Sequence, residues 1–116
     1  MAADIVIGLV VVLHVYFLVL EMFLWDKPLG RRTFKLTPEF ATASKVLAAN
    51  QGLYNGFLVA GLVWGLWLGV AGRDIKVFFL GCVIVAGVYG AYSVSRRVLL
   101  IQAVPAAVAL LLLLIA

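Results

Sequence analysis

Apolar residues run along this chain in four long stretches, at about 5–25, 46–71, 75–94 and 98–116, separated by three polar connections. Each stretch is close to the ~20 residues that cross a hydrocarbon core of ~30 Å, and none alternates with the period of two expected of a half-buried strand. The pattern predicts an all-α, polytopic membrane protein, a four-transmembrane-helix bundle with 1–116 as a single domain. The first stretch is read as a retained helix. No Lys or Arg precedes it in Met1-Ala2-Ala3-Asp4, and the run contains His14 and Glu21, unlike a signal peptide.

The connection 26–45 is the long one, gathering Asp26, Lys27, Arg31, Arg32, Lys35, Glu39 and Lys45 beside Pro28, Gly30 and Pro38. Within it Thr37-Pro38-Glu39 reads as a helix start: a hydroxyl cap, a proline at the first helical position and an acid at the positive dipole end. The second helix can therefore begin before its apolar stretch does.

Composition sharpens this picture. The chain of 116 residues is 66% hydrophobic and 12% charged, with a mean hydropathy of +1.21, whereas an ordinary soluble domain is about half apolar and about a quarter charged. One short domain cannot hide that much apolar surface, so the excess must face lipid. Disorder is excluded by the same numbers. Cys82 is the single cysteine, which rules out an intrachain disulfide and a multi-cysteine metal site.

The net charge is +4. Lys27, Arg31, Arg32, Lys35, Lys45, Arg96 and Arg97 fall on the first and third connections, against Arg73 and Lys76 on the second. The Lys/Arg bias of short loops then places both termini outside the cytoplasm and the first and third connections inside it. Nucleic acid is not an expected partner, because these charges flank membrane spans and are not interleaved with aromatics on a soluble face. They serve as an orientation signal and as contacts to lipid headgroups of the bilayer.

Small residues recur four apart: Gly52, Gly56 and Ala60; Gly61, Gly65 and Gly69; Ala86 and Gly90; Gly87 and Ala91. Such faces let helix backbones approach in lipid, where no hydrophobic force pushes helices together. They predict packing within one bundle, with a subunit interface in a homo-oligomer as the alternative. Pro105 predicts a local kink, since its ring crowds the carbonyl of Ile101 and its N–H is missing.

Polar side chains inside the spans are the candidate chemistry, because an unpaired one is costly in a bilayer. His14 and Glu21 lie about 20° apart on one helix face, with Trp25 continuing the stripe. Asn50 and Tyr54, then Gln51 and Asn55, are two pairs one turn apart on the second span, and Gln102 lies one turn inside the fourth. Counted at 1.5 Å per residue, Glu21, the Asn50–Asn55 group and Gln102 fall at one level near the cytoplasmic side, where Tyr89 and Tyr92 can close the ring. The candidate ligand-binding set is Glu21, Asn50, Gln51, Tyr54, Asn55 and Gln102, with Glu21 expected to face Asn50, Tyr54 and Gln102. Glu21 and His14 are the candidate acid/base groups, with no catalytic role assigned. The competing readings are that Glu21 snorkels or pairs with Arg31, Arg32 or Lys45, that His14 is a hydrogen-bonded bundle residue, and that the amides only join helices. One His and one Glu without a thiolate partner fall short of a metal site. No nucleophile elbow, P-loop or dinucleotide glycine pattern is present, and no cofactor is assigned.

Three segments, HVYFLVLEMFLW (14–25), NQGLYNGFLVAGLVWG (50–65) and QAVPAAVAL (102–110), resemble the domain-of-unknown-function 1304 family of small bacterial integral membrane proteins over nearly the whole chain. The resemblance implies four helices in the inner membrane and brings no catalytic residue with it. The membrane-associated eicosanoid and glutathione family has a charged second-helix motif that Ala48 to Asn55 lacks. Small multidrug resistance transporters carry a mid-membrane glutamate, whereas Glu21 lies near a helix end. The expected function is binding of a small amphipathic or lipid-like molecule in the polar pocket. The alternatives are a small transporter or proton-coupled channel with a His14/Glu21 relay, and a structural accessory subunit.

Overall fold

The computed structural model describes residues 1–93 and 96–116, and among these the secondary structure is helical throughout. Helix α1 spans Ala2–Phe23, α2 Pro28–Phe34, α3 Pro38–Leu68 and α4 Arg73–Ser93; α5 is Arg96–Val98 and α6 Val104–Ile115. A 3-10 turn, Gly69–Gly72, joins α3 to α4, and a π turn, Leu99–Ala103, leads into α6. Among the described residues two helical runs, Ala2–Phe23 and Pro38–Ser93, are long and apolar enough to cross a membrane. The expected end of the third span at residue 94 lies outside the described residues.

Several boundaries differ from the apolar stretches, for local reasons. Helix α3 begins at Pro38, ahead of its apolar stretch, and the Phe40 N–H donates to the Thr37 hydroxyl at 3.2 Å, as the Thr37-Pro38-Glu39 cap requires. The connection 26–45 is not a plain loop. Pro28 opens α2 with a pre-set φ, and Lys35, at φ +56, closes it in the left-handed region. At Pro105 the distortion is a π turn just upstream. A proline cannot bond to the carbonyl one turn back, and widening the backbone by one residue relieves the collision.

The chain divides into two compact units, Met1–Leu13 with Leu58–Ala116, and His14–Phe57. In the first, four helical segments share one core: Ala3, Ile7 and Val10 of α1, Leu62 of α3, Leu80 and Val83 of α4, and Ala106, Ala109 and Leu113 of α6. The run Pro38–Ser93 folds back on itself here. Small residues on α3 receive side chains from α4: a Cβ at Gly61 would strike the Phe79 ring, and one at Gly65 would meet Lys76 Cγ at 2.8 Å. Gly69, at φ +64, makes the reversal that a side chain would strain. On the other side of α4, a Cβ at Gly87 would meet Ala103 Cβ at 2.7 Å, so the π turn brings Ala103 against a residue that only Gly can be.

The second unit is a helical hairpin: the last part of α1, α2, and the first part of α3. Leu20, Ala41 and Ala48 are buried in it. A Cβ at Gly52 would meet Met22 Cγ at 2.5 Å and the Leu18 carbonyl oxygen at 3.3 Å, and one at Gly56 would meet Leu18 Cδ1 at 3.1 Å. The Gly52/Gly56 ladder therefore packs within the chain.

Candidate functional site in the His14–Phe57 hairpin

The hairpin is crossed by polar contacts at successive levels. At its connected end Lys45 Nζ pairs with Asp26 Oδ2 at 3.2 Å, and the Trp25 indole N–H donates to the Ser44 hydroxyl at 2.9 Å. Trp25 also lies against Phe34 of α2, ring centroids 4.9 Å apart. The hydrogen bond from Lys45 holds the Asp26 carboxyl below the usual aspartate range; partial desolvation opposes this and the charge of Lys45 adds to it. Deeper in α1, Glu21 Oε1 accepts a hydrogen bond from the Asn55 amide. His14 is buried, its ring meeting the edge of Phe17 at 5.7 Å.

Helix geometry explains which expected partner Glu21 found. The face of α3 that touches α1 carries Gly52, Asn55 and Gly56, spaced three and four apart. Asn55 therefore sits where the helices are closest and is only 6% exposed. Asn50 and Tyr54 are each two residues from Gly52, about 160° around α3, and both are exposed. The expectation that Glu21 faces Asn50 and Tyr54 is thus corrected to Asn55. Gln51 is exposed as well. Gln102 is half-buried in the π turn of the other unit. Tyr89 and Tyr92 of α4 are exposed.

The competing reading of Glu21 as an ion-pair partner also changes. Among the described residues Glu21 forms no ion pair, and Lys45 is taken by Asp26. A carboxylate bonded to a neutral amide keeps acceptor capacity, since it offers about four lone-pair sites and Asn55 occupies one. No group of three or more His, Cys, Asp or Glu that could hold a metal occurs among the described residues.

Sequence reasoning counted Lys76 only as a loop charge. In the four-helix unit it is 4% exposed, paired with Asp4 Oδ1 at 3.0 Å and donating to the Gly69 carbonyl at 3.1 Å. Its stem lies over Gly65. The available signal was an acid and a lysine assigned to the same side of the bilayer, next to a Gly65/Gly69 gap that needs an occupant.

The family model described as a protein of unknown function, DUF1304, matches residues 8–114, which takes in the whole hairpin. This chain belongs to the DUF1304 family. The DUF1304 chain is also similar to the uncharacterized protein YpaA of Lactococcus lactis subsp. lactis (strain IL1403), 29% identical over 101 residues, which are 84% of this chain and 85% of YpaA. No solved structure matches it.

Proposed function

We propose that this DUF1304 chain is a four-helix protein of the bacterial inner membrane, with both termini outside the cytoplasm, that holds a small amphipathic or lipid-like molecule against the polar hairpin His14–Phe57. Each of the four helical segments of the fold-back core lies in an apolar stretch, and the Pro38–Ser93 run turns at Gly69–Gly72, which supports four crossings over two. The basic residues of 26–45 and Arg96–Arg97 set the orientation.

One observation carries the binding reading. Inside an apolar helix pair, Glu21 is joined among the described residues to Asn55 alone, while Asn50 and Gln51 stand exposed on α3 without a side-chain hydrogen bond among those residues. In lipid each unmet amide costs on the order of 2 kcal/mol or more. A molecule with a hydrogen-bonding head and an apolar body would satisfy Gln51, about 40° around α3 from Asn55, together with the remaining acceptor sites of Glu21. The head is placed at the Glu21–Asn55 level and the body along the apolar helix faces.

Mass spectrometry of small molecules that co-purify in mild detergent tests this. The expected result is an amphipathic species present with the natural chain and lost from Glu21→Leu and from Asn50→Leu with Gln51→Leu. Identical small-molecule profiles from all three would overturn it. A buried His14 on the Glu21 stripe gives the transporter reading its footing, and proton-coupled flux into liposomes that His14→Leu abolishes would decide in its favour.

A further inference from the structure

The four-helix unit has a feature that neither its own core nor the Glu21 hairpin uses. A hollow runs along the exposed face of α4 between the rings of Phe78 and Tyr89, floored by Gly81 and Cys82, and it continues past Val88 to Tyr92. Gly81 opens onto empty space, since a Cβ there would meet nothing within 4 Å. From Phe78 to Tyr92 the helix rises about 21 Å, long enough for an acyl chain that crosses the ~15 Å of one leaflet of hydrocarbon.

Charge follows this hollow along the chain. Arg96 and Arg97 follow Tyr92 and are exposed, and among the described residues neither forms an ion pair. From residue 75 to residue 116 the chain has Lys76, Arg96 and Arg97 but no Asp or Glu, and Lys76 is committed to Asp4. An apolar trough that reaches Tyr92, with Arg96 and Arg97 four and five residues further along the chain and without an ion pair among the described residues, matches one chemistry: an acyl chain bearing an anionic phosphate.

We propose that this face of α4 holds an anionic phospholipid, its acyl chain in the hollow and its phosphate beside Tyr92, Arg96 and Arg97. The proposal rests on the membrane reading above but is independent of the Glu21 site. A second copy of the chain is a poorer occupant, because the same face would bring two more arginines and no carboxylate. A zwitterionic lipid is poorer too, since it carries its own cation to the arginines. Arginines close to an anionic surface contribute roughly fivefold in affinity each, about 30-fold for the pair.

The test is native mass spectrometry of the protein taken from bilayer discs of equal phosphatidylglycerol and phosphatidylcholine into detergent, with retained lipid counted. The natural chain is expected to keep phosphatidylglycerol about tenfold over phosphatidylcholine. Arg96→Gln with Arg97→Gln should bring the ratio to within about twofold of equal. Gly81→Leu puts a side chain into the hollow, at a position where its Cβ meets nothing within 4 Å. It should cut retained phosphatidylglycerol roughly threefold while leaving the melting temperature unchanged. Equal retention by the natural chain and both variants would describe a general lipid annulus and overturn the proposal. So would a dimer that Gly81→Leu dissociates, which would give the face to a second copy. Failure to enter bilayers would overturn the membrane reading along with this one, whereas stable insertion without selective retention removes this proposal alone.

Discussion

In the four-helix unit a buried lysine meets an aspartate at 3.0 Å and a glycine carbonyl at 3.1 Å, whereas in the hairpin a half-buried glutamate meets, among the described residues, an amide alone. Lys76 is balanced in charge, and its stem is packed over Gly65. That arrangement leaves nothing for a ligand to do and reads as a lock on the start of α1. Glu21 is balanced in hydrogen bonding at one oxygen only and carries no counter-ion among the described residues. The two units therefore teach that burial of a charge is by itself uninformative. What separates structure from function is whether the partners exhaust the group's charge and bonding capacity.

The largest test of this contrast is at the lock. Asp4→Leu leaves Lys76 buried beside a single carbonyl and is expected to lower stability by about 3 kcal/mol, part of which Asp4→Leu with Lys76→Met restores. Thermal unfolding in detergent measures both. If the double variant is no better than Asp4→Leu, the pair is not what Asp4 contributes.

Next is the close approach in the hairpin. Gly52→Leu drives a side chain into Met22 and the Leu18 carbonyl and is expected to cost about 2 kcal/mol, whereas Gly8→Leu, where a Cβ would meet nothing within 4 Å, should be near neutral. Comparable losses at the two sites in the same melting experiment would show that the Gly52 face does not set the packing.

Glu21 should respond more mildly and in a way that depends on chemistry. Glu21→Gln keeps an acceptor for Asn55 and is expected to be close to neutral, while Glu21→Leu leaves the Asn55 amide unmet at a cost of about 1–2 kcal/mol. A cost for Glu21→Gln as large as that for Asp4→Leu would mean that the carboxylate has a charged partner after all, and the contrast would collapse.

The smallest effect is expected at Asp26, which lies past the end of α1 near solvent. Its carboxyl titrates below the usual aspartate range because Lys45 bonds to its charged form. The pair therefore stabilises the hairpin end above the ordinary aspartate pKa, and this is lost as pH falls through the lower folded value. Amide exchange in 26–45 should therefore accelerate below about pH 4 in the natural chain, and Lys45→Gln should remove that step.

Much of the architecture was legible in the chain itself. Four apolar stretches specified the helices, because none of them alternates with the period of two of a half-buried strand. Thr37-Pro38-Glu39 marked the start of α3, because capping is a local matter of one hydroxyl and one missing N–H. The small-residue ladders announced close approach. Their occupants were not announced. Spacing places Gly52 and Gly65 on helix faces, but which side chain fills the gap depends on the neighbouring helix and its offset along the axis. Thus Met22 and Glu21 came to Gly52, and Lys76 came to Gly65. The same limit governed the candidate site. Periodicity brought Glu21, Asn50, Tyr54 and Asn55 to a common depth, since rise per residue is a property of one helix. The rotation of α3 against α1 then selected Asn55 and turned Asn50 and Tyr54 outward, and that rotation is a property of two helices in contact. Depth is encoded within a segment, and facing is decided between segments.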